Sequence, residues 1–187
     1  GQQKPSVTPS SMRGIEGMDV DITPISGTAV KTADGYIFAG KGLQGGDYKV
    51  ASQEVSLETT FVVPEDVLSN RISIEAKATH APTSIAGNKT ALLYVTVTNQ
   101  DNNASVTHTA RIGAGKNNET LSILPEVPLS GLNKAGRKIK VTITRKPATS
   151  DDDSDASSVV LKNISVKMQR ASAHTKSSSN NFSASTG

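Results

Sequence analysis

The strongest constraint on this chain is the alternation of apolar and polar residues along a series of short segments. In the clearest segment, Lys138 to Lys146, every second residue is apolar over the first six positions. These apolar residues are Ile139, Val141 and Ile143. A period of two places one side of a strand in a core and the other in water. Similar segments recur from about Glu54 to Met168, which predicts an antiparallel all-β sandwich or barrel.

Composition limits how such a core can be built. The 187 residues suffice for one sizeable domain plus extensions. Only 3% of them are aromatic, and there is no Cys or Trp, so Val, Ile, Leu and Ala must fill the core. The missing cysteines exclude disulfides, thiolate metal sites and cysteine nucleophiles, and they favour a bacterial or viral origin. An aromatic-poor core buries less surface, so we expect oligomer contacts to supplement it.

Charge and hydropathy argue against two classes of partner. The net charge of +3 comes from 20 basic and 17 acidic residues without a dominant basic block. With so few aromatic rings to stack on bases, we expect no nucleic acid partner. No stretch approaches the roughly 18 apolar residues of a membrane span, and Gly1 to Pro5 fits neither a secretion signal nor a myristoylation site. We therefore expect no membrane partner.

Composition also divides the chain into segments. Residues 1–17, rich in Gly, Pro, Ser and Gln, predict a flexible arm that orders only on a partner. Residues 18–50 predict short strands, with a hairpin at Asp34-Gly35 and a flexible Gly-rich connection after it. Residues 51–171 form the predicted sandwich domain, and residues 172–187 a disordered tail or linker.

About seven core strands are predicted within the sandwich domain. The residues predicted to face the core, besides those of the clearest strand, are Val55, Leu57, Thr59, Phe61, Val63, Ile72, Ile74, Ala76, Ala78, Ala91, Leu93, Val95, Val97, Val106, His108, Ala110, Ile112, Ile164, Val166 and Met168. This strand count predicts an antiparallel two-sheet β-sandwich of jelly-roll type. An immunoglobulin-like sandwich is the alternative, although its Cys…Trp…Cys pattern is absent.

Three irregularities are predicted along these strands. Pro64-Glu65-Asp66 suggests one short helical turn, since proline suits a first helical position and acids suit the first turn. A short strand near Thr120 to Leu124 is expected to end in a segment broken by Pro125 and Pro128. In the last strand the apolar parity changes at Lys162-Asn163, which predicts a β-bulge.

The acidic stretch from Asp151 to Asp155 is the best candidate for a metal site. Its alternate carboxylates have the oxygen spacing that Ca²⁺ can use. An EF-hand would require Gly at its sixth position and Glu at its twelfth, where this chain has Ala156 and Lys162. We therefore interpret the stretch as a solvated hairpin loop and predict no metal site.

No motif predicts catalysis or a cofactor. The fragments Gly87 to Thr90 and Gly113 to Lys116 resemble parts of a phosphate-binding loop, but neither opens a helix, so both are predicted turns. His80, His108 and His174 have no spacing of a metal site or a catalytic triad, and His108 is predicted to be partly buried. We expect a protein that is not an enzyme.

Tyr94 is the one candidate for recognition of a sugar. It has the outward parity of its strand, beside Leu92 and Thr96. With no Trp available for stacking on pyranose rings, we favour an apolar Leu92–Tyr94 patch covered by a neighbouring subunit.

Two segments carry a family resemblance. Phe61 to Val67 leads into Ile72-Ser73-Ile74, and Ile139 to Arg145 is joined by an Asp/Ser loop to Val159 to Val166. Over about Glu54 to Met168 this pattern resembles the jelly-roll domains of tailed-bacteriophage virion proteins, such as tail fibres, head fibres and capsid decorations. The resemblance implies a non-enzymatic virion part, often trimeric, whose N-terminal arm docks onto the particle. It assigns no functional residue.

Two hypotheses of function follow. The first is a structural virion protein that forms homotrimers and docks onto other virion proteins by its arm. The second is a carbohydrate-binding module or adhesin domain that recognises a cell-surface glycan. They overlap if a virion part also binds a receptor.

Overall fold

The computed structural model describes residues 20–21, 26–39, 42–44, 47–49, 54–81, 90–145 and 158–171. Several sequence predictions lie outside the described residues. They are those for the arm 1–17, the fragment Gly87 to Lys89, the acidic stretch Asp151 to Asp155, His174 and the tail 172–187.

The described residues form β-strands joined by turns, with no helix among them. Every strand pair is antiparallel. In chain order the strands are β1 (Val20–Asp21), β2 (Ser26–Gly27), β3 (Val30–Thr32), β4 (Gly35–Phe38), β5 (Gly42–Gln44), β6 (Asp47–Lys49), β7 (Val55–Val62), β8 (Val67–His80), β9 (Thr90–Asn99), β10 (Ser105–Gly113), β11 (Lys116–Pro128), β12 (Lys138–Arg145) and β13 (Val159–Arg170).

Two sheets build the sandwich. Sheet A has the strand order β11-β8-β13-β4-β3, and β1 also pairs with β13. Sheet B has the order β10-β9-β12-β7-β2. The short strands β5 and β6 pair with each other and with no other described strand, so part of the predicted Gly-rich connection is a small hairpin.

The strand order confirms the predicted jelly roll. Strands β4 and β7 to β13 pair as β4 with β13, β7 with β12, β8 with β11, and β9 with β10. The first of these eight strands therefore pairs with the last, the second with the second-to-last, and the two central strands with each other. A long hairpin rolled across two sheets gives this pattern. Because β4 lies beside β13 and Phe38 is fully buried, the sandwich starts before residue 51.

The core lies between the two sheets and consists mainly of aliphatic side chains. Each predicted core position of the long strands is buried or half-buried against this core, with Thr59 the one buried polar residue of the set. Val55, Phe61, Val106 and His108 are the half-buried members near strand ends or sheet edges. Arg145 is also buried, and its Nη1 donates a hydrogen bond to the Phe38 carbonyl oxygen at 3.2 Å, which links sheet B to sheet A.

The predicted β-bulge in the last strand is confirmed. The pairing of β13 with β8 shifts register between Lys162 and Ser165. Asn163 has φ 52°, a left-handed conformation that asparagine tolerates better than most residues. The bulge brings both Leu161 and Ile164 to the core side, which strict alternation would not allow.

Two predictions about prolines were wrong. Pro64 to Asp66 forms a single turn closed by the Val67 N–H and the Pro64 carbonyl oxygen at 3.3 Å, and no helix forms. Strand β11 continues through Pro125 to Pro128 and is 13 residues long. It tolerates prolines because it is the edge of sheet A and its register shifts between Leu124 and Val127.

We predict that Val141→Asp destabilises the domain severely, whereas Lys140→Asp changes little. Val141 is 1% exposed, and a carboxylate there would lack a charge partner. The loss should reach about 4 kcal/mol, a drop in Tm of roughly 10 °C, against about 0.5 kcal/mol for the control. Thermal melts of both variants check this, and equal Tm values would contradict the assigned facing of β12.

Gly131 and Gly136 provide a second, matched test. Both have φ +82°, so alanine should cost about 1–2 kcal/mol at either position. At Gly131 a Cβ would also lie 2.7 Å from Asn99 Nδ2 and 2.8 Å from Asn102 Nδ2, whereas nothing lies within 4 Å at Gly136. Both amides donate to the Ser130 carbonyl oxygen, so they cannot move freely. We expect Gly131→Ala to lower the urea midpoint clearly more than Gly136→Ala; equal shifts would contradict the close packing.

Candidate functional site

The outer faces of the two sheets differ in chemistry. The outer face of sheet A is charged: Arg71 pairs with Glu126, and Lys167 Nζ lies 3.3 Å from Glu75 Oε1. Lys162 lies directly opposite Lys77 in the register of β13 and β8. Like charges opposite each other on a sheet face repel, so this face favours a solvated surface.

The outer face of sheet B carries hydroxyl side chains instead. The strand registers align them in three rows across β10, β9, β12 and β7. We call this surface the threonine face; its hydroxyl residues are Ser56, Thr60, Thr96, Thr98, Ser105, Thr107, Thr109, Thr142 and Thr144. Threonine is favoured in strands because its branched Cβ suits a pleated surface.

Neighbouring hydroxyls on this face are paired. Thr96 Oγ1 and Thr107 Oγ1 are 2.9 Å apart, and Thr98 Oγ1 and Ser105 Oγ are 3.3 Å apart. Such cross-strand pairs hold the side chains in defined orientations and stabilise the sheet by a few tenths of a kcal/mol to about 1 kcal/mol each. The face is therefore an ordered array of groups that can both donate and accept hydrogen bonds.

Tyr94 lies on the inner strand β9, in the last of the three rows of the threonine face. In its row the register places Thr109 on one side and Thr144 on the other. Its ring is half-buried, whereas Tyr36, Phe38 and Phe61 belong to the core or pack against it. Tyr94 is thus the outward aromatic residue among those whose side chains the structure describes.

The predicted apolar patch of Leu92 and Tyr94 needs correction. Leu92 has the outward parity and lies opposite Arg111, but only 7% of it is exposed. Alternation predicted the direction of the side chain correctly and its accessibility wrongly. The accessible part of the predicted patch is Tyr94, which lies beside Thr109 on β10 and shares the outward parity of Leu92 and Thr96 on β9.

Charged side chains of both signs flank the hydroxyl rows. Glu58 on β7 lies opposite Thr142, and Lys140 on β12 lies between Thr98 and Thr60. Arg111 on the edge strand β10 is exposed. The face thus presents a carboxylate acceptor and two cationic donors around neutral hydroxyls.

His80, one of the histidines that sequence reasoning considered, has a structural role. His80 is fully buried, and its Nδ1 lies 2.9 Å from the Ile112 carbonyl oxygen and 3.0 Å from that of Gly113. The Gly115 N–H donates to the His80 carbonyl oxygen at 2.8 Å, so His80 ties β8 to the predicted turn between β10 and β11. Among the described residues no group of three or more His, Asp or Glu could hold a metal ion.

The threonine face itself was missed by sequence reasoning. Its signal was present as threonine at alternate positions of β9, β10 and β12. Threonine at an outward strand position is ordinary, so only the register, which aligns these positions in rows, distinguishes the surface. No helix in the described part of the chain is long and apolar enough to cross a membrane.

Comparison with known proteins gives structural matches only. No protein-family model matches the chain, and no curated protein matches it in sequence. A xylan-binding module, CBM15, matches with 14% identity and a TM-score of 0.49, over 83% of this chain and 99% of that one. TmCBM61, solved in complex with β-1,4-galactotriose, matches with 10% identity and a TM-score of 0.35, over 77% of this chain and 86% of that one.

A bacteriophage domain is also similar. The enzymatically active domain of tailspike protein 4 of bacteriophage CBA120 matches with 10% identity and a TM-score of 0.40. The match covers 81% of this chain but 18% of the tailspike chain. At these identities the likenesses concern the fold alone, which the strand order already establishes.

Proposed function

We propose that this protein is a non-enzymatic binding module that recognises a glycan on the threonine face of sheet B. The observation that carries the proposal is Tyr94, an outward aromatic ring that lies beside the exposed Thr109 on a regular sheet. Thr144, on the other side of Tyr94, is 9% exposed and supports the ring from within the sheet. Sugars combine apolar C–H faces with many hydroxyls, so this combination of groups suits them.

The groups around the row suit the same ligand. The Tyr94 ring offers a surface for the C–H face of a pyranose, and the threonine hydroxyls can donate to or accept from its hydroxyls. Glu58 adds a strong acceptor, and Lys140 and Arg111 add donors. Because the side chains lie on paired strands, little conformational entropy is lost on binding.

One aromatic ring limits the affinity of a single site. Burial of one face of a ring and a few solvent-competing hydrogen bonds leave a net binding free energy that corresponds to about millimolar to high micromolar Kd. Several copies held in one assembly would raise the apparent affinity by about 10²–10⁴ through multivalency. A glycan-binding role is therefore most effective in an oligomer.

We predict that Tyr94→Ala abolishes glycan binding, lowering affinity at least tenfold, while Tyr94→Phe retains most of it because the ring remains. Glycan arrays, including xylan and β-1,4-galactotriose, identify the ligand, and calorimetry measures the variants. Ser73→Ala on sheet A is the matched control and should bind like the wild type. Unchanged binding by folded Tyr94→Ala, or no binding across the array, would refute the proposal.

The second candidate function is a structural component of a bacteriophage virion that assembles with copies of itself and docks by residues 1–17. The observation that favours assembly is the edge of sheet B at β10, where no other described strand pairs with β10. This strand is nine residues long and pairs with β9 without a register shift, whereas the β11 edge of sheet A contains two prolines. A long, regular edge strand is a template for another strand.

Purified particles provide the test of the second function. Antibodies against the chain should label virions at regular positions in electron micrographs, and deletion of residues 1–17 should prevent incorporation while leaving the sandwich folded. Light scattering should report a multiple of the 19.5 kDa chain. A chain found in infected cells and absent from particles would contradict the virion role.

A further inference from the structure

The edge strands of the sandwich are unequally protected. In sheet A, β11 has three register shifts and two prolines, and β3 has three residues. In sheet B, β2 has two residues. Strand β10 differs from these edges: it is nine residues long, with no proline and no bulge, and Arg111 is its one Lys, Arg, Asp or Glu residue. Natural edges are usually shortened, charged or bulged to prevent pairing, so a long plain edge indicates a partner.

The backbone groups that β10 directs outward can be identified. The Asn99 N–H donates to the Ala104 carbonyl oxygen at 2.8 Å, which makes Ala104 and Asn99 a hydrogen-bonded pair. Hydrogen-bonded pairs recur at every second residue, so the even-numbered residues of β10 bond to β9. Ser105, Thr107 and Thr109 therefore direct their N–H and C=O groups away from β9, where no other described strand pairs with β10.

We propose that this edge pairs with β10 of a second copy of the chain, antiparallel and centred on Thr109. The two B sheets then form one continuous sheet across a two-fold axis. This inference rests on the second proposed function, assembly with copies of itself, and specifies its contact. A two-fold contact is isologous, so the same strand supplies both sides.

The register follows from length and charge. Thr109 is the midpoint of Ser105–Gly113, so this centre uses the whole strand. It places Arg111 opposite Thr107 of the second copy and keeps the two Arg111 positions about 13 Å apart along the strand, beyond the Debye length of about 8 Å. A two-fold centre at Arg111 would place the Arg111 side chains of the two copies directly opposite each other, and their like charges would repel.

Two further registers lose contacts. A centre at Thr107 would bring Asn103, whose φ is 62°, opposite Arg111, where an extended strand is required. A centre at His108 would oppose the two half-buried imidazoles and shorten the pairing. With the centre at Thr109, His108 instead faces the small Ala110 of the second copy, and the row that contains Thr109 continues into the same row of the second copy.

Single cysteines test the register because the chain has none of its own. In the proposed pair the two Thr109 Cα atoms are about 5.5 Å apart, within disulfide range. Under mild oxidation, Thr109→Cys should give a disulfide-linked dimer with twice the 19.5 kDa mass in high yield. Thr107→Cys, on the same edge but about 13 Å from its copy, is the matched control and should remain at least tenfold less cross-linked.

Charged residues introduced at the centre of the proposed contact test the dimer independently of cross-linking. Thr109→Lys and Thr109→Asp should each weaken the dimer more than tenfold in sedimentation equilibrium, and mixing the two should restore it as a heterodimer. Thr142→Lys, on the same face but on an inner strand, should leave it unchanged. A trimer, or a dimer insensitive to these changes, would overturn the β10 contact and leave self-assembly intact. A monomer up to millimolar concentration would overturn both.

Discussion

The structure depends on burying two aliphatic sheet faces against each other. With no cysteine or tryptophan and few aromatic residues, each long strand must contribute several Val, Ile, Leu or Ala side chains to the same side. That requirement imposes a strict period of two on β7, β9, β10 and β12, because a slip of one residue would turn the apolar set to water. Outward positions carry no core side chain, although Leu92 and Thr144 are buried on their own face, and the two outer faces differ in chemistry.

The rolled pairing of first with last strands determines where irregularity can occur. Strand β13 lies inside sheet A, between β8 on one side and β4 and β1 on the other, so its extra residue at Asn163 must be absorbed by a bulge with both core residues kept inward. Strand β11 lies at an edge and can accept Pro125 and Pro128. The same topology leaves β10 as the outermost strand of sheet B, with a regular ladder on one side only.

Local pattern explains what the sequence could predict. The facing of β12, the bulge at Lys162-Asn163 and the jelly-roll class follow from alternation, which acts within a few residues. The position of β4 beside β13 does not follow from alternation, because Phe38 and Val159 are distant in sequence and β4 has only four residues. Leu92 shows the other limit, because parity gives the direction of a side chain and accessibility depends on what covers it. Rows of hydroxyls require the register between strands, which no single strand encodes.

The threonine face and the β10 edge are connected through the same backbone. Thr107 and Thr109 contribute hydroxyls to the face and outward N–H and C=O groups to the edge, so a strand added at β10 lengthens the face in the direction of its rows. A weak site centred on Tyr94 would then be present twice on one rigid surface, at a spacing fixed by the sheet. The effective concentration of the second site is highest when no flexible linker intervenes, so assembly through β10 would convert a low single-site affinity into useful avidity. In this way the two proposed functions are physically compatible, since the edge supplies the multivalency that a single aromatic ring needs.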